Sequence, residues 1–242
     1  MNPVKDLVDL HCHLMPYVDD GAYDEDECLE LLRMEAAQGV RTICLTPHLR
    51  AEMFETSDEE IEKHFDLVLR LAEEAELPLE LCHSREYHFD RILRDRLVKR
   101  SVRPLGAGNT ILLEFGGKHS DVDILDAVKL VRRMGYTPLI AHVERTQPVQ
   151  KDWNFAHKLL ESGALLQCNA GSILGREGLR QKLLCRKLLQ QKLPTVVASD
   201  AHDTSIRVPE LERCAGYLEE KYGMDTARRL LSSAPRAILD GK

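Results

Sequence analysis

No apolar run in this 242-residue chain approaches the length of a membrane span. The first residues, Met1 to Asp6, lack a charged segment leading into a long apolar stretch, so a signal peptide is not expected. The seven cysteines are odd in number, scattered and free of CxxC pairs. They do not form a disulfide framework, and a reducing cytoplasm is the simplest home. There is no GxxxxGK followed by Ser or Thr, no GxGxxG after a strand and no GxSxG. P-loop nucleotide chemistry, dinucleotide binding and the serine-hydrolase elbow are thereby excluded. Positive charge is also short: 33 Lys and Arg stand against 40 Asp and Glu, a formal net charge of -7. Such a surface does not attract nucleic acid unless a local basic patch does so. No repeat, linker or low-complexity segment divides the chain. With 43% hydrophobic residues it can bury one sizeable core, so residues 1–242 are expected to be a single domain.

What is present is alternation. Short apolar, β-branched runs fall at Val8–His13, Val40–His48, Leu77–Tyr87, Thr110–Phe115, Thr137–His142, Leu165–Asn169 and Thr195–His202. Amphipathic stretches lie between them at Asp24–Gln38, Asp58–Glu76, Val122–Met134, Asp152–Ser162 and Leu179–Lys192. Ser57 with Glu60 reads as a capping box, and Gly39, Gly135 and Gly163 stand where helices end. Seven strands alternating with helices predict a parallel α/β fold, and at this length a distorted (β/α)7 barrel, with an open doubly wound sheet as the alternative.

The strands end on unusual residues. The first closes with Asp9-Leu10-His11-Cys12-His13, and others reach His48, Glu86, Glu114, His142 and Asp200-Ala201-His202. Strand alternation puts His11 and His13 on one face. Glu114 closes Ile111-Leu112-Leu113, where an aliphatic residue would be expected. A buried unpaired carboxylate costs several kcal/mol, so it calls for a cation. One such strand end could be a hydrogen-bonded core group; six together predict a polynuclear metal centre on the rim where parallel α/β folds build sites. Asp19-Asp20-Gly21 is turn chemistry by itself, but beside that rim Asp20 becomes a candidate ligand. The rim loops also carry Arg50, Lys118, Arg145, Arg176 and Arg207, which suits an anionic substrate. A rival reading is the C-x5-R spacing of Cys44 and Arg50. Its loop lacks the glycines that turn backbone amides toward phosphate, and Cys44 lies mid-strand as a small core residue.

The ordered set Asp9-Leu-His-Cys-His13, Asp19-Asp20-Gly21, Thr46-Pro47-His48, Glu86, Leu113-Glu114-Phe115, Ile140-Ala141-His142-Val143-Glu144-Arg145 and Ala198-Ser199-Asp200-Ala201-His202 resembles the PHP (polymerase and histidinol phosphatase) superfamily. Within it, the chain is most similar to the bacterial manganese-dependent protein tyrosine phosphatases of capsule and exopolysaccharide operons. Met53-Phe54-Glu55-Thr56 and Ala234-Pro235-Arg236-Ala237-Ile238 also fit that branch, so the resemblance runs from Asp9 to Ile238. It implies a PHP-type distorted (β/α)7 barrel holding three ions, Mn2+ first, with Fe or Zn as alternatives. One ion would take His11, His13, Glu86 and Asp200. A second would share Glu86 and add Glu114 and His142, and a third would take Asp20, His48 and His202. Arg145 and Arg207 match the family's phosphate-binding arginines. Arg85, beside His83, departs from the small residue that relatives often carry before the glutamate.

The implied activity is metal-assisted hydrolysis of phosphotyrosine on a protein, the partner being a tyrosine autokinase of polysaccharide export. Nucleic acid and membrane insertion are not expected. Alternatives are another PHP phosphoesterase, such as a histidinol phosphatase, and a non-catalytic metal-stabilised binding module. Phe54, Tyr87 and Trp153 are the aromatics that could frame a shallow site for a tyrosine ring, or else pack in the core.

Overall fold

The computed structural model of the chain describes residues 4–242. In chain order its elements are β1 (Leu7–Cys12), α1 (Glu25–Ala37), β2 (Val40–Leu45), β3 (His48–Leu49), α2 (Asp58–Glu74), β4 (Glu80–His83), β5 (Glu86–His88), α3 (Arg91–Lys99), β6 (Thr110–Glu114) and α4 (Asp121–Arg133). They continue with β7 (Thr137–Ile140), α5 (Gln147–Lys151), α6 (Phe155–Glu161), β8 (Leu165–Asn169), α7 (Ala170–Leu174), α8 (Leu179–Gln190), β9 (Val196–Ala198), α9 (Leu211–Tyr222), α10 (Met224–Arg228) and α11 (Ala234–Leu239). The helix boundaries follow local chemistry. Ser57 and Glu60 form the expected capping box, and Ser120 with Asp123 forms a second. Gly39, Gly135 and Gly163 end helices at φ values of 86°, 94° and 89°, open to glycine and strained for other residues.

All strand pairs are parallel and fall into two sheets, ordered β1-β2-β4 and β3-β5-β6-β7-β8-β9. The nine strands are seven bent ones. The Val40–His48 run breaks into β2 and β3, where Pro47 has no N–H to give a ladder. The Leu77–Tyr87 run breaks into β4 and β5. Ser84 N donates to Leu45 O at 2.9 Å and Glu86 N to Pro47 O at 3.1 Å, so the two bent strands stay paired through the kink. The ring closes between the first and last strands, where Asp200 N reaches His11 O and His13 N reaches Ala201 O, both at 2.8 Å. This is the distorted barrel that the alternation predicts. Four regions differ. Helix α3 and the helices after β9 were not expected, because short segments carry little periodicity. The rim segments near Arg145 and Arg176, expected to be loops, include the short helices α5 and α7.

Most of the core lies between the sheet and its helices. A smaller inner cluster, including Val8, Leu10, Cys44, Leu112, Leu139 and Val196, fills the barrel itself. Ile238 and Leu239 of α11 join it and stopper the N-terminal end of the strands. Along the inner face Leu112 gives way to Glu114 two residues on, so the lining turns from apolar to ligand-type toward the C-terminal rim. No helix among the described residues is long and apolar enough to cross a membrane. The stopper depends on a close approach. Gly106 sits at φ 59°, and a Cβ there would come 2.3 Å from Leu239 O. Gly106→Ala is expected to destabilise the fold by roughly 2–4 kcal/mol, the sum of a left-handed alanine and a displaced helix. Urea unfolding would read it as a lower midpoint with unchanged slope.

Candidate metal centre

The strand ends converge. His11, His13, Asp20, His48, Glu86, Glu114, His142, Asp200 and His202 fall into four overlapping groups whose ligand-type atoms lie within 4.8 Å of one another. The groups are His13–Asp20–His48–His202, His11–Glu86–His142, His11–His13–Asp200 and His48–Glu86–Glu114. Glu86 is at the centre and fully buried. Its Oε2 has His48 Nδ1 at 2.9 Å and the Nε2 atoms of His11 and His13 at 3.3 Å. None of these is aligned for a hydrogen bond, and His202 Nε2 is likewise buried without a partner. His11 Nε2 and His13 Nε2 face each other at 3.2 Å. Lone pairs aimed at shared points, rather than at one another's protons, are what a donor set for cations presents. The mixed imidazole and carboxylate chemistry fits Mn, Fe or Zn.

Outer partners fix the rings. Asp19 Oδ2 is 2.7 Å from His13 Nδ1 and accepts from His48 N at 2.8 Å. Gln167 Oε1 lies 3.1 Å from His11 Nδ1 and accepts from His142 N at 2.7 Å. His202 Nδ1 lies 3.0 Å from Asp200 O, and His88 Nδ1 lies 3.0 Å from Glu114 Oε2. The contacts on Nδ1 of His11, His13 and His202 leave the opposite imidazole nitrogen for the centre, and His88 orients the Glu114 carboxylate from behind, the usual second layer around a metal site. Asp9 receives Ser199 N at 3.0 Å and binds Ser199 Oγ, tying β1 to the turn that carries Asp200. His142 and Asp200 take left-handed φ values of 30° and 54°, strain of the kind found where side chains must be aimed.

The arginines meet the centre from outside. Arg145 Nη1 and Arg207 Nη2 each donate to Asp200 Oδ2 at 2.9 Å, and Asn169 Nδ2 adds a third bond at 2.7 Å. Arg145 Nε also reaches Glu177 at 2.6 Å. Asp200 Oδ2 is thus occupied, while Oδ1 faces His11 and His13 at 3.3 and 3.6 Å. Arg145 and Arg207 remain about a third exposed, at 32% and 34%, beside a cavity of about 510 Å³. Arg176 pairs with Glu210 instead. Phe54 stacks on His48, rings 5.2 Å apart and inclined by 12°. Tyr87 is buried with its hydroxyl on the Arg103 backbone, and Trp153 packs on the outer core, so neither frames the site. Arg85 is buried beneath the rim, its Nη2 donating to the carbonyls of His48 and Thr56 at 3.2 and 2.9 Å. Cys44 is fully buried, and the facing Cys82 together with burial pushes its thiol well above the ordinary range, so it does not supply the low-pKa thiolate that attack on a phosphate ester through the C-x5-R spacing requires. Sequence reasoning overlooked Gln167, Asn169, Glu177 and His88. Gln167 and Asn169 also lie toward the end of a strand, but their uncharged amides do not contrast with an apolar run as a histidine or carboxylate does.

The family of capsular polysaccharide synthesis proteins, CpsB/CapC, matches residues 7–240. The chain belongs to it. The CpsB/CapC family bears out the resemblance read from the motifs. Tyrosine-protein phosphatase CpsB of Streptococcus pneumoniae is 30% identical over 96% of this chain and 98% of its own length. Tyrosine-protein phosphatase YwqE of Bacillus subtilis is 28% identical over 94% and 90%. A solved structure from a study of YwqE and CpsB, described as unique metal-dependent tyrosine phosphatases, superposes with a TM-score of 0.90 over 98% of this chain and 95% of that one, at 28% identity. A lactonase from Listeria monocytogenes shares only the fold, with a TM-score of 0.62 at 10% identity over 99% and 96%.

Charge in the centre sets a pH dependence. Burial alone would lower His11, but the Glu86 and Asp200 carboxylates outweigh it and raise it to about 9. Glu86 and Asp19 likewise overcome burial at His48 and raise it to about 10. Burial and the charge of His13 push His202 down to about 2, so it is neutral throughout that range. A group raised in this way stabilises the metal-free fold fully below its unfolded value of about 6.5 and loses that contribution as pH climbs through the folded value. The metal-free protein is therefore expected to lose thermal stability between pH 7 and 10, at about the values of His11 and His48. Saturating divalent metal should flatten the decline, since ligands must shed those protons to bind. Differential scanning fluorimetry with and without metal would test both.

Proposed function

We propose that the chain is a metal-dependent protein tyrosine phosphatase acting on a bacterial tyrosine autokinase that controls capsule or exopolysaccharide synthesis. One observation carries the reading: nine imidazole and carboxylate side chains, buried Glu86 among them, converge at the strand ends, in a chain similar to named tyrosine phosphatases over nearly its full length. The proposed occupancy is three ions, Mn2+ in preference to Fe or Zn. His11, His13, Glu86 and Asp200 would hold one. Glu86, Glu114 and His142 would hold the second, and Asp20, His48 and His202 the third. The whole chain, residues 1–242, acts as a single catalytic domain in the cytoplasm.

Bound ions would supply a water whose pKa is lowered toward neutrality and positive charge against phosphoryl oxygens. The protein's own groups do the rest. Glu86 holds the three imidazoles of His11, His13 and His48 about one carboxylate oxygen. Arg145 and Arg207 bind the non-reacting phosphoryl oxygens; each spends one guanidinium N–H on Asp200 Oδ2, Arg145 spends a second on Glu177, and both keep others for the substrate. Asp200 thereby fixes where the arginines stand before substrate arrives, which is the pre-organisation such electrostatic catalysis requires. Phe54, stacked on His48, flanks the tyrosine ring. The phenolate leaves readily because its conjugate acid has a pKa of about 10.

Purified protein is expected to hydrolyse a phosphotyrosine peptide, to lose activity with a chelator and to regain it with Mn2+. His48→Ala should abolish turnover. Arg145→Ala and Arg207→Ala should each lower kcat by about 10²–10³-fold, as losing one oxyanion donor does. Cys44→Ser should leave turnover nearly intact. Preference for histidinol phosphate over phosphotyrosine would place the chain among small-molecule phosphatases. Tight metal binding with no ester hydrolysed would make it a binding module.

A further inference from the structure

Two thiols that the metal chemistry leaves idle stand in line with it. Cys44 on β2 and Cys82 on β4 are partners in the parallel register. Four residues further along the same two chain segments, His48 on β3 and Glu86 on β5 are also register partners. Cys44 belongs to the inner apolar cluster, with Cys82 packed against it. The thiol pair therefore faces the barrel interior, four residues before the His48–Glu86 contact on segments that stay paired through the kink.

The geometry suits a covalent bond between them. Neighbouring strands run about 4.8 Å apart, within the span of about 4.4–6.8 Å between Cα atoms joined by a disulfide. Burial divides their roles. Cys44 is sealed in the interior, whereas Cys82 is only half-buried and open to small solutes. Its surroundings favour the thiolate: the facing Cys44 hydrogen, against the effect of burial, and the charge of Arg236 hold Cys82 below its ordinary value. Arg236 is itself anchored on Glu80 and Thr42 at 2.7 and 2.9 Å.

We infer that Cys44 and Cys82 are a redox-active dithiol, modified by peroxide to a disulfide whose closure is felt at the metal centre above it. The Cys82 thiolate attacks one oxygen of hydrogen peroxide, the O–O bond breaks, and the departing hydroxide takes up a proton as water. Cys82 is left as a sulfenic acid. The Cys44 sulfur then attacks the Cys82 sulfur; the S–S bond forms, the S–O bond breaks, and the hydroxyl leaves with the Cys44 thiol proton as a second water. Two electrons pass from the thiol pair to the peroxide. A disulfide holds its Cβ atoms about 3.8 Å apart, so closure draws β2 and β4 together beneath the strand extensions that carry His48 and Glu86. The resolving partner accounts for a cysteine at the head of the C-x5-R spacing that has no part in nucleophilic catalysis.

The test is peroxide titration of the manganese-loaded protein, followed by thiol blocking, peptide mapping and kinetics. The expected product has lost two hydrogens, links the Cys44 and Cys82 peptides, and turns over p-nitrophenyl phosphate several-fold more slowly. A phosphine reductant should restore it. Cys44→Ser should keep basal turnover, form no cross-link, and stop at a Cys82 sulfenic acid trapped by dimedone. Cys82→Ser should give neither adduct nor link. No cross-link in the wild type overturns the inference, as does a link confined to other cysteines such as Cys168 and Cys185, which also lie close together. A Cys44–Cys82 link that leaves kcat unchanged overturns the coupling to the metal centre. The cross-link readout stands whether or not the proposed phosphatase reaction does.

Discussion

A carboxylate buried among imidazoles is the constraint around which this molecule is arranged. Glu86 is fully enclosed at the end of an apolar barrel lining, where an isolated charge is not tolerated. Surrounding histidines, above all His11 and His48, hold it ionised, well below the usual carboxylate range despite its burial. Those histidines are held in turn: His13 by Asp19, His11 by Gln167, and His48 through its backbone by Asp19. The polar groups thus form shells, each depending on the one outside it. That outer layer combines one carboxylate, Asp19, with the neutral amide of Gln167.

Asp200 plays the matching role on the opposite wall. One oxygen faces His11 and His13; the other collects Arg145, Arg207 and Asn169. A single carboxylate therefore joins the imidazole cluster to the cationic side. Displacing Asp200 would disturb both at once, so its left-handed backbone is maintained by contacts from several strands.

Much of this could be read from the sequence because ligand-type residues interrupt apolar strands, and that contrast survives in a single chain. His11, His13, Glu114 and His142 stood out in this way. The barrel was legible for the same reason, as periodicity switches between strand and helix. Other features left weaker traces. Pro47 splits a strand that reads as continuous, and Glu86 consequently opens a strand rather than closing one. Glu177 gives no local signal, because its contact with Arg145 spans 32 residues. Gln167 and Asn169 look like ordinary polar strand residues until the fold places them behind the histidines. Nothing local to Arg85 reveals its role, because its partners lie 29 and 37 residues away: it is buried and grips the carbonyls at both ends of the loop after His48.

The seam where the barrel closes has a further consequence. Its first strand carries His11 and His13, and the segment after its last strand carries Asp200 and His202. Few backbone bonds cross it: the two 2.8 Å contacts between residues 11–13 and 200–201 are its clasp. Any ion held jointly by His11, His13 and Asp200 is therefore a rivet between the opening and closing portions of the polypeptide. During synthesis the histidine pair emerges early and waits for nearly the whole chain before its counterpart exists. Ring closure and capture of such an ion would then be a single late event.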